Sequence, residues 1–175
     1  TVVAVDKCDG TLDTSNVSYG SDLDTITNEY TASGSVTFAA TKMLTGRDWA
    51  NQESFAFTIY GADENYNANT SVFGNGTASA ANAGADGSSA ITFDKIEYSF
   101  ADAGKTYYYV IKETSDLTNT GLTSSGDLGA KVEITDNHDG TLSTTVTYSN
   151  GQVVTNTYAA NGEVALKATK TLTGR

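Results

Sequence analysis

Lys42, Glu113 and Asn156 supply an amine, a carboxyl group and a carboxamide from three segments that each read as a β-strand. Strand side chains alternate between faces. Val36, Phe38, Ala40, Lys42 and Leu44 therefore share one face, and Ser35, Thr37, Ala39 and Thr41 take the other. Val154, Asn156 and Tyr158 fall together on the last strand. Between 104 and 113, Tyr107, Tyr109, Ile111 and Glu113 oppose Tyr108, Val110 and Lys112, and Lys112 on the second set favours an inward Glu113. Such groups are expensive to bury unless they meet. If they meet, desolvation lowers the lysine pKa and raises that of the glutamate. A neutral amine is a nucleophile. Attack of Lys42 Nζ on Asn156 Cγ, with Glu113 polarising the Asn carbonyl and shuttling protons, expels ammonia and leaves an isopeptide amide. Reactants locked in contact gain a large effective molarity for this step. The same pattern also fits an ordinary buried Lys–Glu ion pair beside a hydrogen-bonded Asn.

The elements that must position these groups occur in related copies. Asp9-Gly10-Thr11-Leu12 returns as Asp139-Gly140-Thr141-Leu142, and Ile26-Thr27-Asn28-Glu29-Tyr30 as Val154-Thr155-Asn156-Thr157-Tyr158. Ala40-Thr41-Lys42-Met43-Leu44-Thr45-Gly46-Arg47 returns as Ala168-Thr169-Lys170-Thr171-Leu172-Thr173-Gly174-Arg175. Asn28 and Asn156, like Lys42 and Lys170, lie 128 positions apart (156 − 28 and 170 − 42). One period over separate motifs implies tandem domains of one fold. Residues 1–33 read as the last two strands of a preceding repeat, with Val2 and Ala4 alternating before the turn. Residues 34–161 read as one complete domain, and 162–175 as the first strand of a following repeat. Strand candidates within the complete domain are 35–45, 53–60, 90–98, 104–113, 129–136, 141–149 and 153–159. Seven strands without a helical period predict an all-β, antiparallel, immunoglobulin-like sandwich. Residues 61–89, rich in Ala, Asn, Gly and Ser, read as a long, partly ordered loop.

Composition agrees with strands joined by glycine turns: 17 Gly and no Pro, with many Thr, Val, Ile and Tyr. The net charge of −11 argues against nucleic acid, whose phosphates require clustered Lys and Arg. No apolar run approaches the length of a membrane span. Cys8 is the single cysteine, so no disulfide forms within the chain, and its counterpart in the later copy is His138. Asp136-Asn137-His138-Asp139-Gly140 lacks the remaining ligands of a calcium loop and reads as a hairpin turn, so no metal or cofactor is expected. Sequon-like triplets at Asn16, Asn69 and Asn75 arise readily by chance in a chain rich in Thr and Asn. Trp49 reads as packing against the end of the domain.

With the Thr41-Lys42-x-Leu44-x-Gly46-Arg47 strand, Phe55-x-Phe57, Ile91-Thr92-Phe93, Gly104-x-x-Tyr107-x-Tyr109-x-Ile111-x-Glu113, Asp139-Gly140-Thr141 and Thr155-Asn156-x-Tyr158, the chain resembles the isopeptide-linkage domains of Gram-positive pilins and surface adhesins. The resemblance covers nearly all of 35–159 apart from the 61–89 segment. It implies a bond between Lys42 and Asn156 assisted by Glu113. It makes Asn28 the acceptor of the preceding repeat and Lys170 the donor of the following one, each without its partner here. Pilins of this kind usually carry a Pro-containing motif whose Lys joins subunits through a sortase, and this sequence has no Pro and no sorting signal.

The expected function is structural: a stalk domain of an extracellular adhesin or fimbria on a Gram-positive cell wall, with neighbouring repeats as partners and any host ligand held by another domain. The alternative is a module that binds a host protein or glycan through residues 61–89. A turnover enzyme is not expected, because the bond-forming step happens once per molecule.

Overall fold

The computed structural model describes residues 3–13 and 26–174. Val2, the Asn16-Val17-Ser18 triplet and Arg175 lie outside them. The chain divides into two compact units, 1–31 and 32–175.

In the first unit, β1 (Val5–Asp6) pairs with β2 (Leu12–Asp13) in a short hairpin. Its turn is built as the sequence copy suggests. Asp9 Oδ1 accepts from the Thr11 N–H at 2.9 Å and hydroxyl at 2.6 Å, and Asp139 Oδ1 does the same for Thr141 at 3.0 and 2.6 Å. Cys8 and His138 both sit at positive φ, 57° and 60°, so the equivalence lies in the backbone and not in a thiol. Residues 26–30 form no strand and are exposed, contrary to the second strand expected there.

The second unit holds β3 (Ser33–Val36), β4 (Ala40–Thr45), β5 (Ser54–Ala62), β6 (Ala68–Ser79), β7 (Ser88–Phe93), β8 (Ile96–Ser99), β9 (Thr106–Glu113), β10 (Leu122–Ser124), β11 (Leu128–Asp136), β12 (Leu142–Tyr148) and β13 (Val153–Tyr158). Pairing runs β10-β13-β4-β7-β6-β5-β9-β11-β12, with β3 and β8 paired separately. The β10-β13-β4-β7 strands and the β6-β5-β9-β11-β12 strands form the two layers of a sandwich, joined where β7 meets β6 at Gly76 and Thr77. Phe38, Phe57, Ile59, Phe93, Tyr109, Ile111, Val132 and Val154 fill the space between them. The fold is all-β, as expected.

Three expectations are corrected. First, the pairs are not all antiparallel: β13 runs parallel to β4 and places Val154 against Lys42. Second, the 35–45 candidate divides at residues 37–39, where β3 leaves for β8 and β4 joins β13 and β7. The 90–98 candidate divides likewise at Asp94-Lys95. Third, most of 61–89 is not a loop. It supplies the end of β5, the long strand β6, a single 3-10 turn at Ala80–Asn82 and the start of β7. The first half of β6 is exposed on both faces, and its inward positions later on are Gly76 and Ala78. A Cβ at Gly76 would run into the Phe93 ring, so the core there is filled by a neighbouring aromatic side chain. An apolar alternation therefore never appears in that stretch of sequence.

Residues 159–174 form no strand and are exposed. No helix among the described residues is long and apolar enough to cross a membrane.

Candidate functional site

Lys42 lies at the middle of β4, between Val154 of β13 and Ser89 of β7. Val154 is fully buried and Ser89 nearly so, and Lys42 itself is 0% exposed. Its side chain crosses the sandwich toward the opposite layer. There the Phe55 and Phe57 rings of β5 lie 4.8 and 5.9 Å from Nζ. Alternation carries both rings inward, and Trp49 packs edge-on against Phe55 at 5.2 Å while donating from Nε1 to the Gly87 carbonyl at 2.9 Å. Water is thereby kept from the amine.

Glu113 ends β9 in register with Phe57. Its side chain is 4% exposed, and Oε2 accepts from Lys42 Nζ at 3.0 Å. Asn156, 0% exposed on β13, donates from Nδ2 to Glu113 Oε1 at 2.8 Å. The three groups named from alternation thus meet across the two layers, with the carboxylate bridging amine and amide. Lys112 points the other way, toward Asp127 at 3.3 Å.

The contact differs from expectation in one respect. Glu113 meets the amide nitrogen, not the carbonyl oxygen. A carboxylate already accepting from an ammonium has only acceptors to offer, so it turns the donor end of the amide toward itself. Asn156 Oδ1 is left buried with no hydrogen-bond partner. Leaving a buried acceptor unpaired costs about 1–3 kcal/mol, so the ground-state amide is held in an unfavourable setting. Burial also draws the Lys42 pKa below its ordinary value, against the opposing pull of Glu113. Both effects lie at the atoms that an acyl transfer would use. Sequence reasoning found the three groups but missed the paired phenylalanines as the lining of the amine. The Phe55-x-Phe57 spacing was the signal for it.

Asn28 and Lys170 are exposed. His138 is exposed in its turn with Nδ1 3.2 Å from Asp136, and Cys8 is exposed and free. Among the described residues no His, Cys, Asp and Glu side chains gather as they would around a metal ion.

The chain is thus an all-β domain whose two sheet layers enclose a Lys–Glu–Asn cluster. The chain belongs to the FctA family, the Spy0128-like isopeptide containing domain, whose model matches residues 38–159. The family is one of pilin-type structural domains of the Gram-positive cell surface. The match spans all three members of the cluster. No curated protein matches the chain.

Proposed function

We propose that Lys42 and Asn156 join through an intramolecular amide and that the domain serves as a load-bearing stalk unit. The observation that carries this reading is the bridging carboxylate, with Oε2 on the amine and Oε1 on the nitrogen that must leave. Glu113 takes a proton from the Lys42 ammonium, and the neutral Nζ attacks Asn156 Cγ. The Cγ–Nδ2 bond breaks, and Nδ2 leaves as ammonia with a proton returned through Glu113. The other displaced proton passes to solvent. The lysine nitrogen keeps one hydrogen, and the product is a secondary amide. General acid–base assistance of this kind is worth roughly 10²–10⁴-fold.

The topology supports a mechanical role. β4 and β13 are parallel neighbours, so tension drawn between the start of one and the end of the other shears their ladder lengthwise. An amide from Lys42 to Asn156 spans that pair. Load would pass directly across it, and residues 43–155 would feel none. Serial domains of this sort, with Asn28 and Lys170 belonging to neighbouring repeats, would make an inextensible rod on the cell surface.

Single-molecule stretching tests the role. The native domain should show no unfolding step. Lys42→Ala should release the enclosed segment, adding roughly 380–410 Å of chain at full extension. A native domain that lengthens by the same amount carries no such bridge.

A further inference from the structure

The amide chemistry needs Lys42 kept dry, and most of the wall around it belongs to the sheets. Phe57 stands against Phe93 at 6.4 Å in the interior, and Leu44, Ala78 and Val154 are buried in their strands. One side of the wall is built differently. Phe55, the nearer of the two rings over Nζ at 4.8 Å, lies near the start of β5. The ring packed on it is Trp49, which is half-buried in the 46–53 connection between β4 and β5.

The residues around Trp49 fix the indole in place. Nε1 donates to the Gly87 carbonyl at 2.9 Å, and the same carbonyl accepts from the Leu44 N–H at 3.0 Å. Gly87 lies at φ 81°, where a side chain is strained, and a Cβ there would strike the Leu44 carbonyl. On the other flank, Glu53 accepts from the Arg47 guanidinium at 2.6 and 2.8 Å and from the Ala50 N–H at 2.9 Å, which draws the connection into a tight hoop. Against the indole lies a recess of about 370 Å³, shared with Asp48, Ala83, Gly84, Ala85 and Gly87. It has room for several waters, each taking about 30 Å³. The other lining residues are small or polar, so none can take the place of the indole.

We propose that Trp49 is a positioning residue for the crosslink: it pins Phe55 over the Lys42 amine, bars the water of the recess from that amine, and so sets the rate at which the amide forms. The assignment rests on the amide chemistry proposed above and adds to it a residue outside the Lys–Glu–Asn cluster. Lys42 must lose a proton before it attacks, and water stabilises the ammonium. Burial draws the Lys42 pKa down, and Glu113 opposes it. Glu113 of β9 is the charged group that touches the amine. The neighbouring strands β13 and β7 present the uncharged Val154, Asn156 and Ser89, and β5 presents two rings. Lys112 is turned to Asp127, Glu53 is engaged by Arg47, and Asp86 is bonded to Ser88 in its own turn. Each pKa unit that Lys42 regains on hydration leaves about tenfold less neutral amine.

The test uses the full chain, produced as insoluble, unreacted protein, dissolved in denaturant and folded by dilution. Intact mass follows the loss of ammonia, and circular dichroism checks the fold. Trp49→Ala should lose ammonia about tenfold or more slowly than the native chain. A second readout separates shielding from packing. In an Asn156→Ala background, which cannot react, NMR of the Lys42 ε-carbon should show its titration moving up toward the ordinary lysine value when Trp49→Ala is added. Trp49→Phe keeps a ring and loses the N–H, and it replaces the alanine variant if that variant does not fold. It should move the rate and the titration in the same directions by smaller amounts. A folded variant that loses ammonia at the native rate, or that slows while Lys42 titrates unchanged, overturns this inference alone. Native protein that retains its ammonia overturns both this inference and the amide reading beneath it.

Discussion

At Glu113 one carboxylate accepts from the Lys42 amine on one oxygen and from the Asn156 amide on the other. Glu113→Gln keeps the shape but cannot carry a proton between them. The folded variant should form the amide roughly 100-fold or more slowly, which a time course of intact mass after refolding would show. An unchanged rate would assign Glu113 a packing role only. A second residue prediction concerns alkali. The Tyr107 hydroxyl donates to Asp102 Oδ1 at 2.6 Å, and this bond pushes its pKa up to about 12. Because the folded value lies above the ordinary value of about 10, the stabilisation is complete below about 10. It is lost as pH rises from there through about 12. Phenolate absorbance should show late-ionising tyrosines, since burial also raises Tyr98 and Tyr109, and Asp102→Asn should move one of these titrations back toward 10. At this scale much was legible in the sequence. Alternation turned Lys42 and Asn156 inward because a strand has two faces and their neighbours are apolar. Which end of the Asn156 amide meets Glu113 was not legible, since that depends on hydrogen bonding across layers.

Among the elements, the β4–β13 pair ends in a close approach that sequence marks only as a glycine. Gly46 sits at φ 84°, and a Cβ there would strike the Tyr158 carbonyl. Left-handed backbone costs a side chain about 1–2 kcal/mol, and the collision adds to it. Gly46→Ala should lower the urea midpoint by more than that strain alone. A midpoint within error of native would show that the two strand ends are free to part. Arg47 follows, with its guanidinium bidentate to Glu53 at 2.6 and 2.8 Å and stacked over Tyr158 at 5.4 Å. It closes the same end of the pair. The strands with β-branched and aromatic alternation, such as β9 and β11, were readable from their residues. β6 was not, because the Phe93 ring that covers Gly76 belongs to β7 and its own inward positions are Gly76 and Ala78. The break between β3 and β4 was also hidden. No Gly or Pro marks residues 37–39, and the chain parts there because its two halves have different partners, β8 on one side and β13 with β7 on the other.

For the molecule as a whole, an amide between Lys42 and Asn156 closes nearly the entire sandwich into one loop. On the chain-entropy account, a crosslink over a loop of this length stabilises by about 4–5 kcal/mol. Lys42→Ala removes that constraint and leaves Glu113 buried without its cation. A melting temperature lower by roughly 10–20 °C follows for a domain of this size, measurable by calorimetry. The repeated motifs are legible in the residues themselves, and the Asp9 and Asp139 turns share one hydrogen-bond pattern. The mass of the intact chain tests the central claim most directly. Folded native protein should be lighter than its sequence by one ammonia, with Lys42 and Asn156 recovered in a single branched peptide, and Lys42→Ala should have its full sequence mass. A native chain at full sequence mass, with both residues in separate linear peptides, would contradict the account and leave the cluster a buried ion pair.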